Sequence, residues 1–284
     1  MTNPVAPLPQ EQIDGRNAGF WNELCGTSMA RSLGIVDHSP DSLAKYDDEY
    51  LRYYPYLRRY VDAEELTGKL VLEIGLGYGT LGQLLASRGC RYYGLDIAEN
   101  PVALMRYRLA LLGEGNVEDR VRQGSALDIP FDDGLFDQVY SIGCLHHTGN
   151  LTRAIAEVHR VLKPGGKALI MLYNKHSLRQ LLSVPLRDRL RVAWSCDGAA
   201  DDPRTSERMR ARYDGNAKGD APPHTDYVSR AEARRLFSRF RTVNIQCQNC
   251  DPIARQGRII VPRRFLLGNL GRLLGLDLHV RVQK

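Results

Sequence analysis

No apolar run in the 284-residue chain approaches the roughly 20 residues needed to cross a bilayer. The opening stretch MTNPVAPLPQEQIDG has neither the basic start nor the apolar centre of a secretory leader, so a soluble cytoplasmic protein is expected. Cysteine is sparse. Cys25, Cys90, Cys144, Cys196, Cys247 and Cys250 are scattered through a chain too long to need cross-linking, and free thiols are expected in place of a disulfide framework. Only Cys247 and Cys250 stand in C-x-x-C spacing. The two further ligands that a structural zinc requires are missing, so no metal is expected. Internal repeats are absent, as are low-complexity tracts beyond the proline-bearing start. With 43% hydrophobic residues the chain is neither disordered nor fibrous, and it can fill one large domain or a domain with a cap.

Charge is unevenly spread. From His176 onward there are 21 Lys and Arg against 11 Asp and Glu, whereas the first 175 residues carry 18 against 22. The basic surface therefore belongs to the C-terminal part.

Short apolar runs alternate with helical patterns. KLVLEIG (69–75), RYYGLD (91–96), RVRQGS (120–125), DQVYSIG (137–143) and KALIMLYN (167–174) read as strands. TLGQLLASRG, NPVALMRYRLALLG and NLTRAIAEVHRVL lie between them, with apolar residues three and four apart. This alternation predicts an α/β fold, a doubly wound and mostly parallel sheet with helices on both faces. KPGG (163–166) ends a helix and turns into the next strand. The pattern is then interrupted by residues 175–228, a basic helical stretch followed by loop-like and charged segments. It resumes with the helix SRAEARRLFSRF, whose Ser229 and Glu232 have capping-box spacing, and the strand TVNIQCQ. LDLHVRVQK alternates as an edge strand would. The expected organisation is an N-terminal helical cap segment (1–64), a cofactor-binding core (65–174), an inserted substrate cap (175–228) and a completion of the sheet (229–284) with a helical insertion near 249–275.

The stretch LEIGLGYGTLG carries the most chemical information. Gly75, Gly77 and Gly79 follow the first strand, where an open α/β sheet binds its ligand and where residues without Cβ let the backbone approach closely. Thr80 stands where a dinucleotide fingerprint needs its last glycine, and no Gly-Lys-Ser/Thr follows, so neither of those phosphate-binding loops fits. A carboxylate at Glu73 would repel a pyrophosphate but suits an ammonium group. Asp96, ending the second strand, is placed to accept both hydroxyls of a ribose. An adenosine joined to a cationic amino acid satisfies both.

VLEIGLGYGTLGQLLASRGCRYYGLDIAENPVALMRYR, GSALDIPFDDGLFDQVYSIGCLHHTGN and AIAEVHRVLKPGGKALIMLYN, taken in this order, resemble the class I S-adenosylmethionine-dependent methyltransferases, in particular the group that methylates small molecules. The resemblance covers about residues 65–175 and, more loosely, the last strands, and it implies a Rossmann-like sheet of seven strands with the last inserted antiparallel, a place that LDLHVRVQK suits. It implies S-adenosyl-L-methionine as cofactor, with Glu73, Gly75, Gly77 and Gly79 on the methionine side and Asp96 on the ribose. Ile97 would pack on adenine, and Ser141 to Gly143 would face the methionine moiety mostly through backbone. The family usually has Asp where Ser125 stands, accepting from the adenine amino group. Ser125 and the Ala126 backbone inherit that place, and Asp128 is a possible substitute acid.

Methyl transfer asks mainly for alignment and exclusion of water, with a base only where the nucleophile is protonated. His146 and His147, after the fourth strand, are candidates for that base or else packing residues. His224, Asp226 and Tyr227 form a second cluster, with His224 a candidate catalytic group and Tyr227 a candidate substrate contact. His159 and His279 read as surface or packing residues. Tyr46, Tyr50, Tyr53, Tyr54, Tyr56 and Tyr60 fall on one helical face interrupted at Pro55, to pack on the sheet or to close the cofactor site. Arg179, Arg187, Arg208, Arg210, Arg212, Arg263 and Arg264 suggest an anionic or carrier-bound acceptor methylated at O or N, with Arg263 and Arg264 as its contacts. Two other functions remain open at this point. One is an RNA methyltransferase using the basic surface, although Trp194 and five other aromatics are few for base stacking. The other is a cofactor-binding protein without catalysis.

Overall fold

The structure, a computed structural model, describes residues 9–24, 27–62, 64–183, 206–255 and 258–284. Cys25, Arg187, Trp194 and Cys196 lie outside the described residues. Four helices come first: α1 (Gln10–Trp21), α2 (Thr27–Ser32), α3 (Pro40–Tyr53) and α4 (Tyr56–Asp62), the last two separated at Pro55 as the tyrosine pattern implies. The central alternation follows as β1 (Leu70–Ile74), α5 (Thr80–Ala86), β2 (Arg91–Asp96), α6 (Glu99–Leu111), α7 (Val117–Arg120), β3 (Val121–Gln123), β4 (Phe136–Ile142), a 3-10 turn (Leu145–His147), α8 (Leu151–Val161) and β5 (Leu162–Asn174). Beyond it lie α9 (Leu178–Ser183), α10 (Glu207–Asp214), β6 (Tyr227–Val228), α11 (Arg230–Leu236), β7 (Thr242–Gln248), β8 (Ile253–Arg255), β9 (Arg258–Val261), α12 (Arg263–Leu266), α13 (Asn269–Leu274) and β10 (Asp277–Gln283).

Local chemistry explains the boundaries. Asn150 caps α8 by accepting from the Arg153 N–H, and Leu151, Ala154, Ile155, Val158 and Val161 form its buried stripe. Ser229 and Glu232 close the expected capping box of α11. The main sheet runs β3-β2-β1-β4-β5-β10-β7, with β6 added beside the end of β5. Strands β3, β2, β1, β4 and β5 are mutually parallel, and β10 is antiparallel to both β5 and β7. The fold is thus the Rossmann-like α/β sheet with one reversed strand. One apolar layer, under α8 and α11, is built on Leu72, Phe136, Ile170, Phe237 and Val280. The other, under α4 to α6, is built on Leu57, Leu85, Met105, Tyr140 and Leu169.

Two expectations are corrected. LDLHVRVQK is no edge strand: β10 is paired along its whole length on both sides, and its alternation reflects two helix-covered faces of unequal depth. The segment 249–275 is only partly helical, because β8 and β9 form a hairpin before the short α12 and α13.

The N-terminal helices are joined to the core by a buried ion pair. The Arg108 guanidinium on α6 is 2% exposed and donates to both Asp47 oxygens of α3 at 2.8 and 3.0 Å. Asp47 also accepts from the Thr80 hydroxyl at 2.6 Å, which fixes the start of α5. Tyr46, one residue earlier, stacks on Tyr78 of the glycine loop at 4.0 Å. Removing Asp47 would strand a buried charge, so Asp47→Ala is expected to cost about 3–5 kcal/mol in urea unfolding, and Arg108→Met in the same chain should recover most of that loss. Equal stability of Asp47→Ala and the parent would show that the pair carries no weight.

Candidate active site

The carboxyl ends of β1, β2, β4 and β5 open into a cavity of about 450 Å³, roofed by α1 and flanked by α3. This is the size and position of a small-molecule site in an open α/β sheet. The glycine loop forms its floor. Gly75 has φ +85°, and a Cβ there would lie 2.3 Å from the Cys144 Cβ; at Gly79, with φ +81°, it would lie 2.7 Å from the Arg108 side chain. Both positions require glycine for conformation and for space.

Glu73 lies beneath the loop, 2% exposed, and accepts from the Tyr92 hydroxyl. Burial pushes its carboxyl up to about 8, and the Tyr92 bond only partly offsets this. Asp96 accepts from the Leu76 N–H at 2.7 Å and the Ala98 N–H at 2.9 Å, which hold its carboxylate toward the cavity. Burial raises its pKa, and these backbone donors pull it back. Ile97, Ser125 and Ala126 also line the cavity. Of Ser141 to Gly143, Ile142 and Gly143 line it, while the Ser141 hydroxyl donates to the Ile74 carbonyl at 2.9 Å, tying β4 to β1 inside the sheet.

Position 125 carries no acid, but a carboxylate stands beside it. Asp128 is exposed, but Asp14 of α1 accepts from the Ser125 hydroxyl at 3.1 Å and lines the cavity beside it. Helix α1 is held there by polar contacts. Asn17 donates to the His147 carbonyl and Gln10 to the Thr148 carbonyl, each at 2.7 Å.

Beyond β4 the two adjacent histidines diverge. His146 is fully buried between His147 and Tyr173, outside the cavity lining, and burial keeps its ring neutral. His147 reaches the cavity. Its Nδ1 lies 2.7 Å from the His224 carbonyl and so carries a proton, and its Nε2 lies 3.4 Å from Asp214. Asp214 also accepts from the Tyr173 hydroxyl at 2.7 Å. The donor atoms of His146, His147 and Asp214 lie within 4.8 Å of one another, a grouping that the expectation of no metal did not foresee. The side chain of His224 faces Asp226 at 3.0 Å rather than the cavity, and Tyr227 lies behind Tyr173 and Tyr213.

Neither arginine proposed as an acceptor contact lines the cavity. Arg263 donates to the Tyr53 carbonyl and to Asn249 Oδ1, with its guanidinium over the Tyr53 ring, and Arg264 is exposed against Phe265. Cys247 and Cys250 are buried free thiols. Tyr46, Tyr50, Tyr54 and Tyr56 both pack in the apolar clusters and line the cavity, and Tyr53 lines it as well.

Residues 72–170 match the family model of a methyltransferase domain, in line with the resemblance to class I S-adenosylmethionine-dependent methyltransferases read from the sequence. The chain is 33% identical over 120 residues to a ubiquinone biosynthesis O-methyltransferase of Pseudomonas aeruginosa, covering 42% of this chain and 50% of that one. It is 32% identical over 109 residues to phosphoethanolamine N-methyltransferase 2 of Caenorhabditis elegans, covering 38% and 24%. The chain thus spans half or less of the length of these curated relatives. Among solved structures, the YcgJ protein of Bacillus subtilis shares the fold, with a TM-score of 0.50 at 21% identity over 81% of this chain and 96% of that one. No helix among the described residues is long and apolar enough to cross a membrane.

Because the Glu73 pKa is raised on folding, its neutral form favours the native state at low pH, and this contribution is lost as pH rises toward 8. Glu73→Gln keeps an acceptor for Tyr92 and removes the ionisation. In ligand-free protein its melting temperature should exceed the parent's by several degrees at pH 8.5, with the gap shrinking by pH 5. A gap independent of pH would show that Glu73 does not titrate in this range.

Proposed function

We propose that the chain transfers the methyl group of S-adenosylmethionine to nitrogen or oxygen of a small-molecule acceptor held in the roofed cavity. The observation that carries this reading is the convergence of Glu73, the glycine loop and Asp96 on one end of a cavity that continues past Cys144 toward Tyr173 and Asp277. Glu73 pairs with the ammonium of the methionine moiety, losing its proton as it does so. Asp96 takes the ribose hydroxyls, Ile97 packs on adenine, and Asp14 with Ser125 accepts from the adenine amino group. The acceptor occupies the far end, where α10 and the tyrosines of α3 and α4 exclude water. Alignment of the nucleophile with the methyl carbon in that enclosed space supplies most of what the reaction needs.

Asp96→Ala should weaken S-adenosylmethionine binding by about 1.5–3 kcal/mol, the loss expected for hydrogen bonds to a buried carboxylate. Titration calorimetry measures it, with NAD and ATP as ligands that should not bind. An unchanged dissociation constant, or tight NAD binding, would sink the cofactor assignment. Cofactor binding with no methylated product from any metabolite pool would leave a binding protein.

A further inference from the structure

The acceptor end of the cavity has a chemistry of its own. Strand β10 runs against its neighbours, so its first residue, Asp277, emerges at the edge where the parallel strands end, opposite Tyr173 of β5. Asp277 is 2% exposed and lines the cavity. Asn249 donates to it at 3.0 Å and Tyr56 at 3.3 Å, and both bonds fall on Oδ2, which leaves Oδ1 for a group in the cavity. Around it stand Tyr56, Tyr173 and Tyr213, with Asp214 beyond.

No arginine or lysine lines this cavity among the described residues. The nearest cations are committed behind the wall: Arg179 binds both Asp251 oxygens at 2.6 Å, and Arg263 is held by Asn249 and the Tyr53 carbonyl. His279, the next cavity-lining residue of β10, is driven down to about 3 by burial and carries no charge. An anionic acceptor would face two carboxylates with no counter-charge. A neutral alcohol could donate one hydrogen bond to Oδ1 but would bring no counter-charge to the buried carboxylate.

Taking the methyl-transfer reading above as given, we propose that the acceptor carries an ammonium group, with Asp277 as the carboxylate that pairs with it and accepts its proton. Tyrosine faces suit such a cation through their ring quadrupoles. Burial raises the Asp277 carboxyl to about 7, with Asn249, Arg179 and Tyr56 acting against it and Asp214 with it, so proton acceptance near neutral pH is within its reach. In the step itself, Asp277 takes a proton from R–NH3+, and the freed nitrogen lone pair forms the bond to the methyl carbon. The carbon–sulfur bond breaks with its electron pair going to sulfur. The products are the thioether S-adenosylhomocysteine and R–NH2CH3+, and the proton on Asp277 leaves to solvent.

Three shape-matched probes test the charge preference: phenethylamine, phenethyl alcohol and 3-phenylpropionate, each titrated at millimolar concentration into the full chain saturated with S-adenosylhomocysteine. The amine should bind at least about tenfold tighter than the other two, a ratio corresponding to about 1.4 kcal/mol. Asp277→Asn should abolish that preference while keeping S-adenosylhomocysteine affinity within about twofold, which also reports that the variant is folded. Equal binding of the three probes by the parent, binding of none, or a preference for the carboxylate overturns the proposal, as does an amine preference that survives in a folded Asp277→Asn. If that variant fails to bind S-adenosylhomocysteine, the parent's discrimination among the three probes decides. Failure of the parent itself to bind S-adenosylhomocysteine would instead strike the methyl-transfer reading.

Discussion

The Arg108 guanidinium is the constraint on which the site depends. It occupies the space that a side chain at position 79 would need, and it grips Asp47 of α3, which in turn holds Thr80 at the head of α5. Three chain segments distant in sequence are therefore fixed by one planar cation whose donors point in set directions. Without it the single Thr80 hydroxyl bond to Asp47 would remain as the directional tie between α3 and the loop, beside the stacked Tyr46 and Tyr78 rings.

The cavity is asymmetric in how its parts are held. Its floor is backbone, locked by sheet pairing and by tight glycine turns. Its roof, α1, buries only Asn17, and its docking rests on side-chain amides reaching two carbonyls, on the Asp14 contact to Ser125 and on the Trp21 ring beside His147. Hydrogen bonds of this kind contribute about 1 kcal/mol each, far less than a buried apolar face. The roof is the wall that opens at least cost, in keeping with the usual division between rigid scaffold and low-stability cover.

What the sequence made legible was what local chemistry specifies. The glycine loop, Asp96, the capping box at Ser229 and most strands follow from periodicity and turn residues over ten or so positions. The residues that were missed are brought in by tertiary contact. Asp14 sits 111 positions before Ser125, and nothing in its own neighbourhood marks it as that residue's partner. Arg108 and Asp47 read as ordinary helix-surface charges until the helices pack. At Ser141 and His146 a strand end and a short turn each offer two directions, and sequence alone does not choose between cavity and core. Asp277 could have been found: once a reversed strand is expected, its first residue must lie at the ligand-binding edge.

The reversed strand also governs when the site can exist. Asp277 and His279 pair with β5 across about a hundred residues of intervening chain, and β7 on the other side is joined only through the hairpin and two short helices. Such distant pairings are slow because the connecting chain must lose its freedom before any contact is gained. During synthesis the glycine loop and the first five strands emerge well before β10, so a half-sheet with an exposed β5 edge precedes the finished wall. An unpaired edge of that kind is prone to association with other chains. Insertion of β10 therefore removes the aggregation-prone edge and completes the acceptor end of the cavity in a single event.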